Sequence, residues 1–144
     1  MSEPAADFDD VLTEHKRLNE LFGHVNSLLE DRAALKDLTP AVEILVSHIK
    51  NHFRQEETTE FFERIAAYAP RLESEAMALK QQHGVLERDL QDTFKPILDG
   101  NCSAKQLREV AVRFADFEES YELHEEGENR LLQEAYDRDV GSKD

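Results

Sequence analysis

The chain has little of what breaks or staples a fold: of 144 residues one is cysteine, none is tryptophan, four are proline and five are glycine. A single cysteine, Cys102, cannot close an internal disulfide, which suits a reducing compartment and leaves it as an ordinary loop thiol. So few turn-forming residues exclude a sheet-rich fold and favour long helices. No apolar run approaches the ~20 residues of a membrane span, and the opening MSEPAADFDD lacks the basic and apolar regions of a secretory signal, so a cytoplasmic location is expected. Basic residues are also scarce, with 17 Lys and Arg against 32 Asp and Glu, for a net charge of −15. A phosphate backbone or an anionic membrane repels such a chain, so neither nucleic acid nor membrane is an expected partner. The excess acid reads first as a solvated surface, with attraction of metal cations a lesser contribution.

What is present is helical periodicity. The chain length suits one domain over residues 1–144. Stop and start signals divide it into helices at about 7–30, 39–66, 70–97 and 103–137, an all-α up-down-up-down four-helix bundle. Thr39 is the expected N-cap of the second helix, with Pro40 in its first turn, and Pro70 opens the third. Asp99-Gly100-Asn101 breaks the chain before the fourth, where Ser103 and Gln106 have the spacing of a capping box.

Followed at 3-4 spacing, the inner seams read Phe8, Val11, His15, Leu18, Phe22, Val25, Leu29 on the first helix and Val42, Leu45, Ile49, His52, Glu56 on the second. The third gives Leu72, Ala76, Leu79, His83, Leu86, Leu90, and the fourth Leu107, Val110, Phe114, Phe117, Tyr121, His124, Glu128, Leu131, Ala135. Every seam carries a histidine, and two add a glutamate one turn later. The pattern repeats: His15 and His83 are 68 apart, while His52/Glu56 and His124/Glu128 are 72 apart. The chain therefore reads as a doubled helical hairpin.

A carboxylate buried in an apolar bundle costs several kcal/mol unless it is paired or coordinated. Two of them beside four imidazoles call for a common cause, and a pair of dications supplies one. Residues four apart on a helix project about 40° apart and one turn in height, so each His-x-x-x-Glu pair can reach one site. Glu56 and Glu128 are placed to bridge, with His15, His52, His83 and His124 as terminal ligands. Mixed imidazole and carboxylate donors suit iron, with manganese and zinc less favoured.

The residues His15, His52-Phe-Arg-Gln-Glu56, His83 and His124-Glu-Glu-Gly-Glu128 resemble the two-fold signature of hemerythrin-like HHE cation-binding domains over nearly the whole chain. The resemblance implies a non-haem centre of two iron ions, oxo- or hydroxo-bridged, held by those six residues. It departs from oxygen carriers at Glu87, where they have a second third-helix histidine, so reversible oxygen transport is not expected. Three readings of Glu87 stand: an added ligand, a proton donor beside the site, or a solvated charge. His48, one turn before His52, either supports a ligand from behind or faces solvent, and His24 reads as surface. Tyr121 either hydrogen-bonds a ligand, coordinates, or simply packs. Gly84 and Gly127 either leave room for a small molecule or let helices approach closely. The expected partner is a small diatomic gas or peroxide. The function classes are a di-iron protein that binds or senses oxygen or nitric oxide in oxidative or nitrosative stress, an enzyme that removes peroxide or nitric oxide, and an iron-binding module without catalysis.

Overall fold

The computed structural model describes the backbone of residues 4–141 and the side chains of residues 13–136. The seam positions Phe8 and Val11 lie outside the described side chains. The chain forms α1 (Pro4–Glu30), α2 (Leu35–Thr58), α3 (Phe61–Tyr68), a 3₁₀ turn at Pro70–Leu72, α4 (Glu73–Leu98) and α5 (Ala104–Gly141). The four long helices close a ring in which α1 packs on α2 and α5, and α4 on α2 and α5. Short connections between successive packed helices make them antiparallel. Among the described residues no helix is long and apolar enough to cross a membrane.

The expected second helix, 39–66, is two elements and starts earlier. It begins at Leu35 after an extended Ala34, so Thr39 is an interior residue and not the N-cap. Burial decides this: Leu38 is fully enclosed, which outweighs the one backbone hydrogen bond that Pro40 gives up. The helix then stops at Thr59, whose hydroxyl donates to the Gln55 carbonyl (2.8 Å), and Glu60 takes a left-handed conformation at φ 56°. The seam also slips in phase there, because Phe61, Phe62 and Ile65 fall five, six and nine residues after Glu56. Restarting as α3 lets all three turn into the core.

Pro70 opens the 3₁₀ turn and not the helix itself, which starts at Glu73, while α1 begins earlier and α5 ends later than expected. Ser103 and Gln106 form the reciprocal cap, Ser103 N donating to Gln106 Oε1 (2.8 Å) and Gln106 N to Ser103 Oγ (3.1 Å). Pro96 does not end its helix early, since α4 runs on to Leu98.

The seams meet in two apolar clusters with the polar residues between them. One contains Leu18, Phe22, Leu45, Ile49, Leu90, Phe94, Phe114 and Phe117. The other, at the opposite end, contains Phe62, Ile65, Leu72, Leu79, Leu131 and Leu132. Gly127 permits the close approach of α4 to α5: a Cβ there would lie 2.9 Å from Leu79 Cδ2. Gly84 is exposed, with nothing within 4 Å of such a Cβ, so it lines no internal space.

Candidate metal centre

Each of the four long helices delivers its histidine to one buried layer. His15 comes from α1, His52 and Glu56 from α2, His83 from α4, and His124 and Glu128 from α5; all six are at most 8% exposed. They fall into two groups of close donor atoms, His15/His52/Glu125/Glu128 and Glu56/His83/His124/Glu128. Glu128 belongs to both.

The carboxylates differ in how they span these groups. Glu128 Oε2 lies 2.8 Å from His124 Nε2, while Oε1 lies 3.6 Å from His15 Nε2. Glu56 Oε1 is 3.0 Å from His83 Nε2 and Oε2 is 3.4 Å from His52 Nε2. Each therefore turns one oxygen toward each half of the layer. Glu125 instead keeps both oxygens in one half, Oε2 against His15 Nε2 and Oε1 3.5 Å from His52 Nε2.

Glu125 is the residue that the sequence pattern did not single out. Its signal was present: Tyr121, His124, Glu125 and Glu128 stand at i, i+3, i+4 and i+7, a single helix face. A strict 3-4 seam passes over it because His124 already occupies that level. Two outer partners were also missed. His83 Nδ1 is 2.8 Å from Glu57 Oε2 and His124 Nδ1 is 2.7 Å from Gln82 Oε1. With Nδ1–H donated outward, each ring presents Nε2 to the interior, the usual way in which a metal-binding imidazole is oriented.

The other sequence candidates stay outside. Glu87 is half-buried on α4 but its carboxylate is in neither group, since Leu86 and Leu90 take the inward positions after His83. His48 is half-buried, His24 exposed, and both lie outside the groups. Tyr121 is 1% exposed and its hydroxyl, beside Glu125, makes no well-formed hydrogen bond. Burial, then the Glu125 charge, raises its pKa well above the usual phenol value.

Burial and crowded carboxylates set the layer's electrostatics. Burial and the neighbouring Glu128 carboxylate push Glu56 up to about 8. Burial works against a charged His52 and a charged His83, yet the surrounding carboxylates raise them to about 9 and about 10. Burial lowers His124 to about 4. Several of these atoms face only one another and make no well-formed hydrogen bond: Nε2 of His15, His52 and His83, both oxygens of Glu56 and Glu125, and Oε1 of Glu128. Buried polar atoms left in this way are expensive, and cations at the centre of each group would satisfy them together. Three carboxylates and four imidazoles could hold metal cations here, with Glu128 common to both groups.

Comparison with known proteins agrees with this chemistry. A family model described as the hemerythrin HHE cation binding domain matches residues 6–136. No curated protein and no solved structure matches the chain.

Proposed function

Because the chain belongs to the hemerythrin HHE cation-binding family, we propose that its buried layer holds two iron ions and that the loaded protein reacts with small oxidants: oxygen, nitric oxide or peroxide. The observation that carries the reading is the pair of buried donor groups joined through Glu128. His15, His52 and Glu125 would hold one ion and His83 and His124 the other, with Glu56 and Glu128 available to both. When bound, iron supplies electron exchange with such oxidants.

The chain's own residues set the conditions for that chemistry. Phe53 stacks on His83 at 4.0 Å, and Phe62 meets the same ring edge-on at 5.3 Å, so apolar rings pack against that imidazole. Glu57 and Gln82 hold two imidazoles in place. Tyr121 keeps its proton across the neutral range and offers an O–H beside Glu125. Three carboxylates make the donor set anionic, which favours ferric over ferrous iron and irreversible oxidation over reversible oxygen release. The carboxylate responsible is Glu125, on α5, and not Glu87.

The test is to mix the ferrous protein with air, then with peroxide or nitric oxide, and follow the near-ultraviolet spectrum by stopped flow. A stable ferric product that peroxide or nitric oxide then changes is expected. Oxygen uptake that reverses under vacuum with recovery of ferrous iron would overturn the proposal.

A further inference from the structure

A cleft of about 380 Å³ opens between α1 and α5 and reaches the metal layer. Its floor is His15, Tyr121 and Glu125. Its wall on α5 carries Glu118, Glu122 and Glu126, with Asn129 beyond them. From the α1 side come Asn19 and Gly23, and no side chain would be crowded at Gly23, where nothing lies within 4 Å of an added Cβ. The lining is rich in oxygen donors and holds no lysine or arginine. Three of its groups have enclosed oxygens that make no well-formed hydrogen bond: both of Glu125, which is 8% exposed, the Tyr121 hydroxyl, and Oδ1 of the half-buried Asn129. Asn26 Nδ2 donates to Glu118 Oε1 at 2.8 Å and fixes that wall in place.

The surroundings of the other half differ. Phe53 covers His83 face-on and meets His124 edge-on at 5.6 Å, Phe62 meets His83 edge-on, and the outer nitrogens of the two rings are taken by Glu57 and Gln82. A second hollow of about 410 Å³ includes Glu43, Lys50, Arg54 and Leu98, and touches none of the donors. Its two cationic side chains disfavour a dication.

We infer that the α1/α5 cleft is the path by which metal cations enter the layer, with Glu122 and Glu126 drawing a hydrated dication from solvent and Glu125 as the first core donor it meets. This rests on the two-metal reading of the layer. Along the path, water ligands are exchanged for carboxylate oxygens one at a time, and no electron is transferred. The cleft opens onto the His15/His52/Glu125 group, so a cation arriving by it meets that group first.

Anaerobic stopped flow of the metal-free protein with ferrous ion, in competition with a coloured chelator, tests this. The doubly neutralised variant Glu122→Gln/Glu126→Gln is compared with Asp116→Asn/Glu119→Gln, which removes the same charge from α5 residues away from the cleft. Local focusing of charge raises encounter rates by about tenfold or more, so the cleft variant should load about tenfold more slowly. Its final iron content should equal that of the wild type, added salt should narrow the difference, and the control should load at the wild-type rate. Equal rates in both variants, or equal slowing, would overturn the path. A fall in final iron content of the cleft variant would also overturn it, by making these side chains ligands. Failure of the wild type itself to take up iron would instead contradict the two-metal reading.

Discussion

The two hairpins of this chain carry the same pattern and put different residues at one matching position. Displaced by 72 residues, His52 and Glu56 correspond to His124 and Glu128, and Phe53 corresponds to Glu125. Both Phe53 and Glu125 are buried, and each faces the lone histidine of the helix beside it, Phe53 stacking on His83 and Glu125 meeting His15. In the first hairpin that position sets an apolar ring on the imidazole. In the second it adds a carboxylate donor at the floor of an acidic cleft. A repeated scaffold thus supplies two like halves, and one residue per hairpin makes one apolar-lined and the other acidic.

The largest break in the comparison is Phe53→Ala, which removes the ring that covers His83 and leaves a cavity. It should cost about 3–5 kcal/mol of stability, read from denaturant midpoints. A loss under about 1 kcal/mol would mean that the ring is not packed as described.

Making the halves alike from the other side is milder. Glu125→Gln keeps the size of the side chain and removes the charge, so bound iron should fall from about two ions per chain toward one, with the fold intact. His48→Ala and His24→Ala should leave iron content unchanged. If His48→Ala lost as much iron as Glu125→Gln, the division of donors into these two groups would be wrong.

The pH response should separate the metal-free from the loaded protein. In the presence of a chelator, His52 at about 9 and His83 at about 10 hold protons that an unfolded chain, near 6.5, has released. The folded state then binds more protons than the unfolded one, so stability falls as pH rises from about 6.5 toward about 10. Glu56, at about 8 against 4.5, acts in the same direction over its own range, while His124, at about 4, acts oppositely below 6.5. Metal competes with these protons, so affinity for the cation should rise over the same interval. Urea midpoints between pH 6.5 and 9.5, with and without metal, check both signs; a chelated protein that gains stability with rising pH would contradict the account.

The smallest effect is expected at Gly84, which is exposed and mid-helix. Gly84→Ala should stabilise by about 1 kcal/mol through helix propensity alone and leave metal content unchanged. Gly127→Ala offers the contrast, because its new methyl group must displace the end of Leu79. Thermal melts of the two variants should show the gain at Gly84 and a smaller or absent gain at Gly127.

Much of this architecture was legible because helical burial is periodic. Every described seam residue from His15 to Leu29 and from Val42 to Glu56 is buried, and the six expected donors share one layer. The errors arose where local signals competed with tertiary burial. Thr39-Pro40 is a good helix start by local preference, but Leu38 needed enclosing, so the helix began a turn earlier. The break at Glu60 has neither glycine nor proline to announce it and shows only as a slip in apolar phase. Glu125 was hidden by sitting next to a donor already recognised, and of the three readings open for Glu87 one-turn spacing alone could not choose, whereas α4 turns Leu86 and Leu90 inward there. The outer partners Glu57 and Gln82 reach their histidines from exposed or partly exposed positions, which no seam pattern marks.

The central claim is that two cations share Glu128. Elemental analysis of the iron-loaded protein beside its Glu128→Ala variant tests it most directly, after excess metal has been removed from both. The account predicts about two iron ions per chain in the wild type and nearly none in the variant, because both donor groups lose a member. A wild-type content near zero, a single zinc that iron cannot replace, or a variant that retains both ions would contradict it.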